Sequence, residues 1–246
     1  MSRSVANMLL LLAGLVWGLG FIAQETAMED VGPFIFMTLR FGIAALAVFP
    51  MAYVEHRKMG GLSSPVAALT SENWIAIVSV GVMFFLTMVF QQIGLLGTTV
   101  TNAGVLTGLY VVLTPLIAFF VLGHKQPNIV WPAALLAFGG IWLLGGGALD
   151  GLNWGDWLIL CSAVFAALHV LTMGHAVKGV RRPATVATAQ FAVSALLSAI
   201  GFGLARLFQW NIEPPVSLTA LTEAAPEILF AALFAGAFAF FLMALC

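Results

Sequence analysis

Charge is what this chain of 246 residues has least of: nine Lys and Arg and ten Asp and Glu, 8% of the sequence. A soluble domain carries about a quarter of its residues as charged side chains, so the shortage excludes a water-soluble globular fold. A formal net charge of −1 leaves no basic footprint for nucleic acid, and no nucleic-acid partner is expected. The two cysteines, Cys161 and Cys246, fall in no CxxC or Cys/His spacing, which argues against a disulfide framework and a metal centre. HExxH and GxSxG patterns are missing, and no Asp or Glu lies deep in an apolar run except Glu25 at the margin of one. An intramembrane enzyme would therefore lack its nucleophile, base or metal ligands, and no cofactor is expected.

What the chain has is long apolar runs. Hydrophobic residues make up 62% of it. The runs are apolar all round instead of alternating with period two, so they indicate spanning helices and not a barrel. A spanning helix needs about 20 residues. Eight runs qualify: 7–24, 33–54, 74–97, 103–123, 128–148, 154–174, 184–208 and 226–246. The fold class expected is an all-α polytopic membrane protein whose first partner is the lipid bilayer. Arg3 before the first run resembles a signal peptide, but GLGFIAQETA has no clear cleavage site and seven runs follow, so the run is kept as a helix. With the N-terminus in the cytoplasm, Arg3, Arg57, Lys58, Lys125, Lys178, Arg181 and Arg182 all collect inside, which sets that orientation by the positive-inside rule. A bacterial plasma (inner) membrane is the expected location.

The chain also repeats itself. At an offset of 150, Pro33-x6-Arg40-Phe41 falls on Pro183-x6-Gln190-Phe191; at 155, Gly81 falls on Gly236 and Gln91 on Cys246. The second unit starts after five spans, an odd number, so it runs with opposite topology. Inverted repeats mark secondary transporters, with the site near the midplane where the repeats meet. The domains expected are 1–148, a five-helix unit, and 149–246, its partner truncated after a third helix. Two further spans are expected to belong to the complete pattern.

The most informative stretch is 98–123, TTVTNAGVLTGLYVVLTPLIAFFVLG, preceded by the amides Gln91 and Gln92. Polar groups in hydrocarbon must face protein, water or ligand. Gln91 and Gln92 point about 100° apart on a helix, and hydrogen bond either a solute or another helix. Thr107, Tyr110 and Thr114 share a face, and Thr107 and Tyr110 are read as cavity lining. Asn102 either lines the cavity or caps the helix start, capping being favoured. Pro115 should kink its helix and suits a gate. Trp17 either stacks on a solute ring or fills the bundle. It lies between Gly14 and Gly18, which with Gly104 and Gly108 have the spacing that packs helices closely and permits a homodimer. Arg40 lies roughly 10 Å inside its span by helical rise, to snorkel, pair with Glu25 or hold an anionic solute. His169 is a buried hydrogen-bonding group or a proton relay. Gln190 is the neutral counterpart of Arg40 in the repeat.

These features together resemble the EamA-type transporters of the drug/metabolite transporter superfamily. The residues that carry the resemblance are Trp17-Gly18 with Phe21, Leu39-Arg40-Phe41, Gln91, Thr98-x3-Asn102-Ala103, Leu113-Thr114-Pro115, Leu122-Gly123 and Gly155-Asp156-Trp157. Gly123-His124-Lys125 departs from the Gly-Glu that many relatives carry there. The resemblance implies ten spans in two inverted five-helix units and movement of a small metabolite or drug-like solute by alternating access, with export the expected direction. The other reading of the chain is a non-transporting membrane subunit or inactive fragment. Substrate contacts are expected from Trp17, Gln91, Gln92, Asn102, Thr107, Tyr110 and Gln190, and gating or coupling from Arg40, Pro115 and His169.

Overall fold

The computed structural model describes residues 3–58, 69–123, 125–144 and 151–244, and the described residues contain helices and no strand. In chain order the helices are α1 (Arg3–Asp30), α2 (Pro33–Lys58), α3 (Ser71–Gly94), α4 (Val100–Gly108), α5 (Tyr110–Leu122), α6 (Val130–Leu144), α7 (Trp154–Val180) and α8 (Pro183–Leu207). A final broken helix follows as α9 (Leu218–Glu223), α10 (Ala225–Leu229), a π-helical segment (Phe230–Phe238) and α11 (Ala239–Ala244). Among the described residues, six spans are long and apolar enough to cross a bilayer, with α4 and α5 counted as one, and two shorter apolar helices are Val130–Leu144 and Ala225–Phe238. This is a polytopic helical membrane protein.

The helix starts follow local chemistry. Thr70, Thr99, Asn153 and Ser217 each accept a backbone N–H from the first turn they precede. Pro33 and Pro183 open α2 and α8, where a missing N–H costs nothing. Asn102 is not the cap expected of it: Thr99 accepts the Asn102 N–H at 3.2 Å, because α4 begins three residues earlier than the apolar run. The interruption of the fourth span falls at Leu109, between α4 and α5, and Pro115 lies inside α5. Gly108 at the break lowers helix propensity there, and the Leu109 N–H closes a tighter turn onto Leu106 O at 3.2 Å.

The centre of the bundle is the antiparallel pair α2–α8, the most extensive helix interface among the described residues. Phe41 on α2 and Phe191 on α8 stack with centroids 6.1 Å apart and planes inclined 13°. These are the two phenylalanines that the offset of 150 superposes. Phe34 reaches over Gly201, where a Cβ would come within 2.5 Å of its ring. The flanks match as well. A Cβ on Gly81 of α3 would lie 2.6 Å from Val193 Cβ on α8, and one on Gly236 in the π segment would lie 3.2 Å from Ala44 Cβ on α2. Gly81 and Gly236 are the glycines paired at offset 155. α3 packs against α7, and α1 packs against the broken last helix. The GxxxG pairs do not make such contacts. Nothing approaches a Cβ built at Gly14, Gly18, Gly104 or Gly108 within 4 Å, because these glycines lie on outward faces of α1 and α4.

Candidate functional site

Apolar packing carries a set of buried polar groups into the bundle. On α1, Gln24 donates to Gly20 O at 3.0 Å and accepts from Gln91 Nε2 of α3 at 3.1 Å. Both amides are buried, and this pair closes α1 onto α3. Gln92, 1% exposed, points away from it and its Nε2 has no partner in the protein. Seven residues before Gln91, about two helical turns along the same face of α3, Phe84 packs edge-on to Phe41 at 5.1 Å and against His169 of α7 at 5.1 Å. His169 Nε2 in turn shares a 2.9 Å hydrogen bond with Gln190 Oε1 of α8. The side chains of four helices, α2, α3, α7 and α8, therefore meet around Phe84.

Arg40 sits on α2 beside this aromatic cluster. Its guanidinium lies 4.6 Å from the Phe41 centroid and 5.5 Å from that of Phe36. The residue is 7% exposed, and Nε and Nη1 are buried without a hydrogen-bond partner. The two structural roles open to it are not realised: it does not reach the surface, and Glu25 is exposed on α1 and makes no ion pair with it. Ring faces attract a cation by about 0.5–2 kcal/mol, short of the several kcal/mol that desolvating an unpaired charge costs. The site has spare positive charge.

The remaining expected residues lie elsewhere. Trp17 donates its indole N–H to Ala235 O at 2.9 Å. This bond ties α1 to the π-helical segment, while Trp17 stays 37% exposed. Asn102 Nδ2 donates to Asp156 Oδ1 at 3.3 Å in the first turn of α7. Thr107 is half-buried with its hydroxyl unpaired, and Tyr110 is half-buried at the start of α5. Pro115 lies further along α5, and no hydrogen bond of the described residues joins Asn102, Thr107 or Tyr110 to the amide or histidine pairs.

Asp156 is a partner that motif reading touched without explaining. It is 1% exposed, completes the capping box with Asn153, and also accepts from the Thr98 hydroxyl. It thereby ties the turn between α3 and α4 to the start of α7. Gly94, Gly97 and Gly155 make room for this junction: a Cβ on Gly155 would lie 2.4 Å from Gly94 O, and one on Gly97 2.2 Å from the Trp154 ring. The Asn153-x2-Asp156 spacing is the sequence signal for the capping box. Gln24 was legible only as an amide near the end of a run.

The bundle and its buried amides define a multi-span helical membrane protein with an internal polar site. The model of the EamA-like transporter family matches residues 4–146, more than half of the chain, and the protein belongs to that family. An uncharacterized transporter of Archaeoglobus fulgidus is 34% identical over 173 residues, 70% of this chain and 50% of that protein. The chain thus spans about half the length of this curated relative. A solved crystal structure of a protein not otherwise described superposes with a TM-score of 0.66 at 21% identity, over 98% of this chain and 78% of the other. That likeness speaks for the fold alone.

Proposed function

We propose that this chain forms the solute-conducting part of a secondary transporter, working by alternating access of two inverted units, 1–148 and 149–246, and not as an enzyme. The observation that carries the reading is Arg40: a buried guanidinium without a counter-charge, beside a cluster of aromatic rings, in a family of transporters. The cargo that suits these groups is a small zwitterion, its carboxylate facing Arg40 and its apolar or aromatic part against Phe41, Phe84 and Phe191. Gln91, Gln92, Gln190 and His169 offer further polar contacts, Trp17, Asn102, Thr107 and Tyr110 line the way to them, and Pro115 sits in the helix that moves. The matched contacts of Gly81 with Val193 and Gly236 with Ala44 support the inverted pairing that alternating access needs. Export from the cytoplasm, with the N-terminus inside, is the direction inferred. The test is reconstitution of the complete natural protein in liposomes loaded with a pool of labelled zwitterions. Saturable, gradient-sensitive flux is expected, and its absence across the pool would sink the proposal.

A further inference from the structure

At the end of the bundle where α2 finishes and α8 begins, a groove of about 910 Å³ opens between α2, the α7–α8 turn and α11. Its floor is apolar, from Pro50, Met51, Val54 and Phe240, and its mouth carries Lys58 and Arg181. The volume falls in the range of bound small-molecule ligands, and the groove lies where helices leave the hydrocarbon. The chemistry is therefore split by depth, apolar toward the bilayer and cationic at its surface.

Two details sharpen that split. Glu55, the acid in the lining, is occupied. Its oxygens accept from Ala184 N at 3.3 Å, Thr185 N at 2.9 Å and Thr185 Oγ1 at 2.8 Å, so its charge is directed at the α8 N-terminus. Neither Lys58 nor Arg181 has a carboxylate partner among the described residues. Arg181 is also held at φ 56°, a left-handed conformation where glycine is relaxed and a long side chain is strained. A glycine there would close α7 more easily and leave the mouth with one cation. Beside the groove, exposed Tyr53 carries the Arg57 guanidinium 5.7 Å from its ring, as interfacial aromatic and basic side chains do.

We propose that this groove binds an anionic glycerophospholipid, with the phosphate between Lys58 and Arg181 and an acyl chain along Met51, Val54 and Phe240. Basic pockets between membrane helices take such headgroups, and each cation is worth about a fivefold gain in affinity near an anionic surface.

The experiment is native mass spectrometry of the complete protein in detergent, titrated separately with phosphatidylglycerol and phosphatidylcholine. Wild type is expected to hold phosphatidylglycerol at least tenfold more tightly, and the double variant Lys58→Gln/Arg181→Gln is expected to lose that preference. Equal affinities for the two lipids, or a preference unchanged in the variant, would overturn the proposal. So would displacement of phosphatidylglycerol by millimolar inorganic phosphate, which would make the site one for a soluble anion. If the variant fails to fold, wild type is cross-linked with a photoactivatable phosphatidylglycerol. Labelling at Met51, Val54 or Phe240 supports the site, and labelling spread around the bundle refutes it.

Discussion

Glu55 and Glu213 stand at opposite ends of the α2–α8 pair, and each caps the helix to which it does not belong. Glu55, in the last turn of α2, accepts the first N–H groups of α8. Glu213, just beyond α8, accepts Phe34 N and Ile35 N of α2 at 3.0 Å each. Gly32 makes the second cap possible, since a Cβ there would lie 2.4 Å from the Glu213 carboxyl carbon. Both ends of the central pair are thus closed by a carboxylate at a helix N-terminus, where the dipole favours negative charge.

Replacing either acid by Ala should cost about 1 kcal/mol for the lost cap, read as a lower thermal transition in lipid or detergent. For Glu213 a pH dependence is expected as well. Burial pushes the Glu213 carboxyl above its ordinary value, against the lowering effects of the Ile35 and Phe34 N–H groups and of Arg206. A carboxyl raised on folding contributes stability that is fully present below its unfolded pKa and is lost as pH rises through the folded one. Wild type should therefore lose part of its stability as pH climbs from the ordinary carboxyl range, and Glu213→Gln should flatten that part of the profile. A Glu213→Gln profile parallel to wild type would refute this assignment.

Arg40 separates stability from transport. An unpaired buried charge contributes nothing to folding that an apolar side chain of similar length would not, and replacing buried ions by apolar residues is often neutral or stabilising by about 1–4 kcal/mol. Arg40→Met should leave the thermal transition unchanged or raise it. The same change should lower flux of a carboxylate-bearing solute at least tenfold, since a buried charged contact is worth about 2–5 kcal/mol to its partner. Arg40→Lys should restore part of the flux. A destabilised Arg40→Met protein with normal flux would make the guanidinium a structural element and remove the basis of the proposed cargo.

Trp17 and the π segment can be tested together. Hydrogen bonds between membrane helices average about 0.6 kcal/mol and reach about 1.7 kcal/mol. Trp17→Phe keeps most of the ring and removes the donor to Ala235 O, so a loss of that size is expected in reversible unfolding. Trp17→Ala, which also removes the ring, should cost more.

The helices were legible because hydrocarbon demands long apolar runs: among the described residues, six of the eight runs are helices long enough to cross a bilayer and the other two hold shorter apolar helices. Arg40, Gln91 and Gln190 stood out for the reverse reason, as polar residues inside such runs. The long-range pairings did not. Gln24 pairs with Gln91 across 67 positions of sequence and Glu213 with Phe34 across 179, and periodicity within one helix carries no information at that range. The break at Leu109 has only a weak sequence signal: Gly108 and a tightened turn mark the interruption, while the stronger local signal, Pro115, lies inside α5. Asn102, at the edge of the apolar run, reads as a cap, but Thr99, outside the run, starts the helix.

Glycine is where local pattern and three-dimensional packing diverge most, and this yields the last prediction. The spacing of Gly104 and Gly108 suggests close helix packing, yet a Cβ at Gly104 meets nothing within 4 Å. Gly104→Ala should then be neutral, or stabilising by up to about 1 kcal/mol through helix propensity. Gly81 stands alone in sequence, but a Cβ there would lie 2.6 Å from Val193 Cβ and 2.8 Å from Val193 Cγ1. Val193 is β-branched and stiff about χ1, so it cannot swing away, and α3 would have to move off α8. Overpacking of this kind costs about 1–3 kcal/mol. Gly81→Ala should lower the thermal transition accordingly, and Val193→Ala introduced with it should recover most of the loss. If Gly104→Ala were the damaging change and Gly81→Ala the silent one, then α3 would not meet α8 through Gly81, and the matching contact of Gly236 with Ala44 would lose its counterpart.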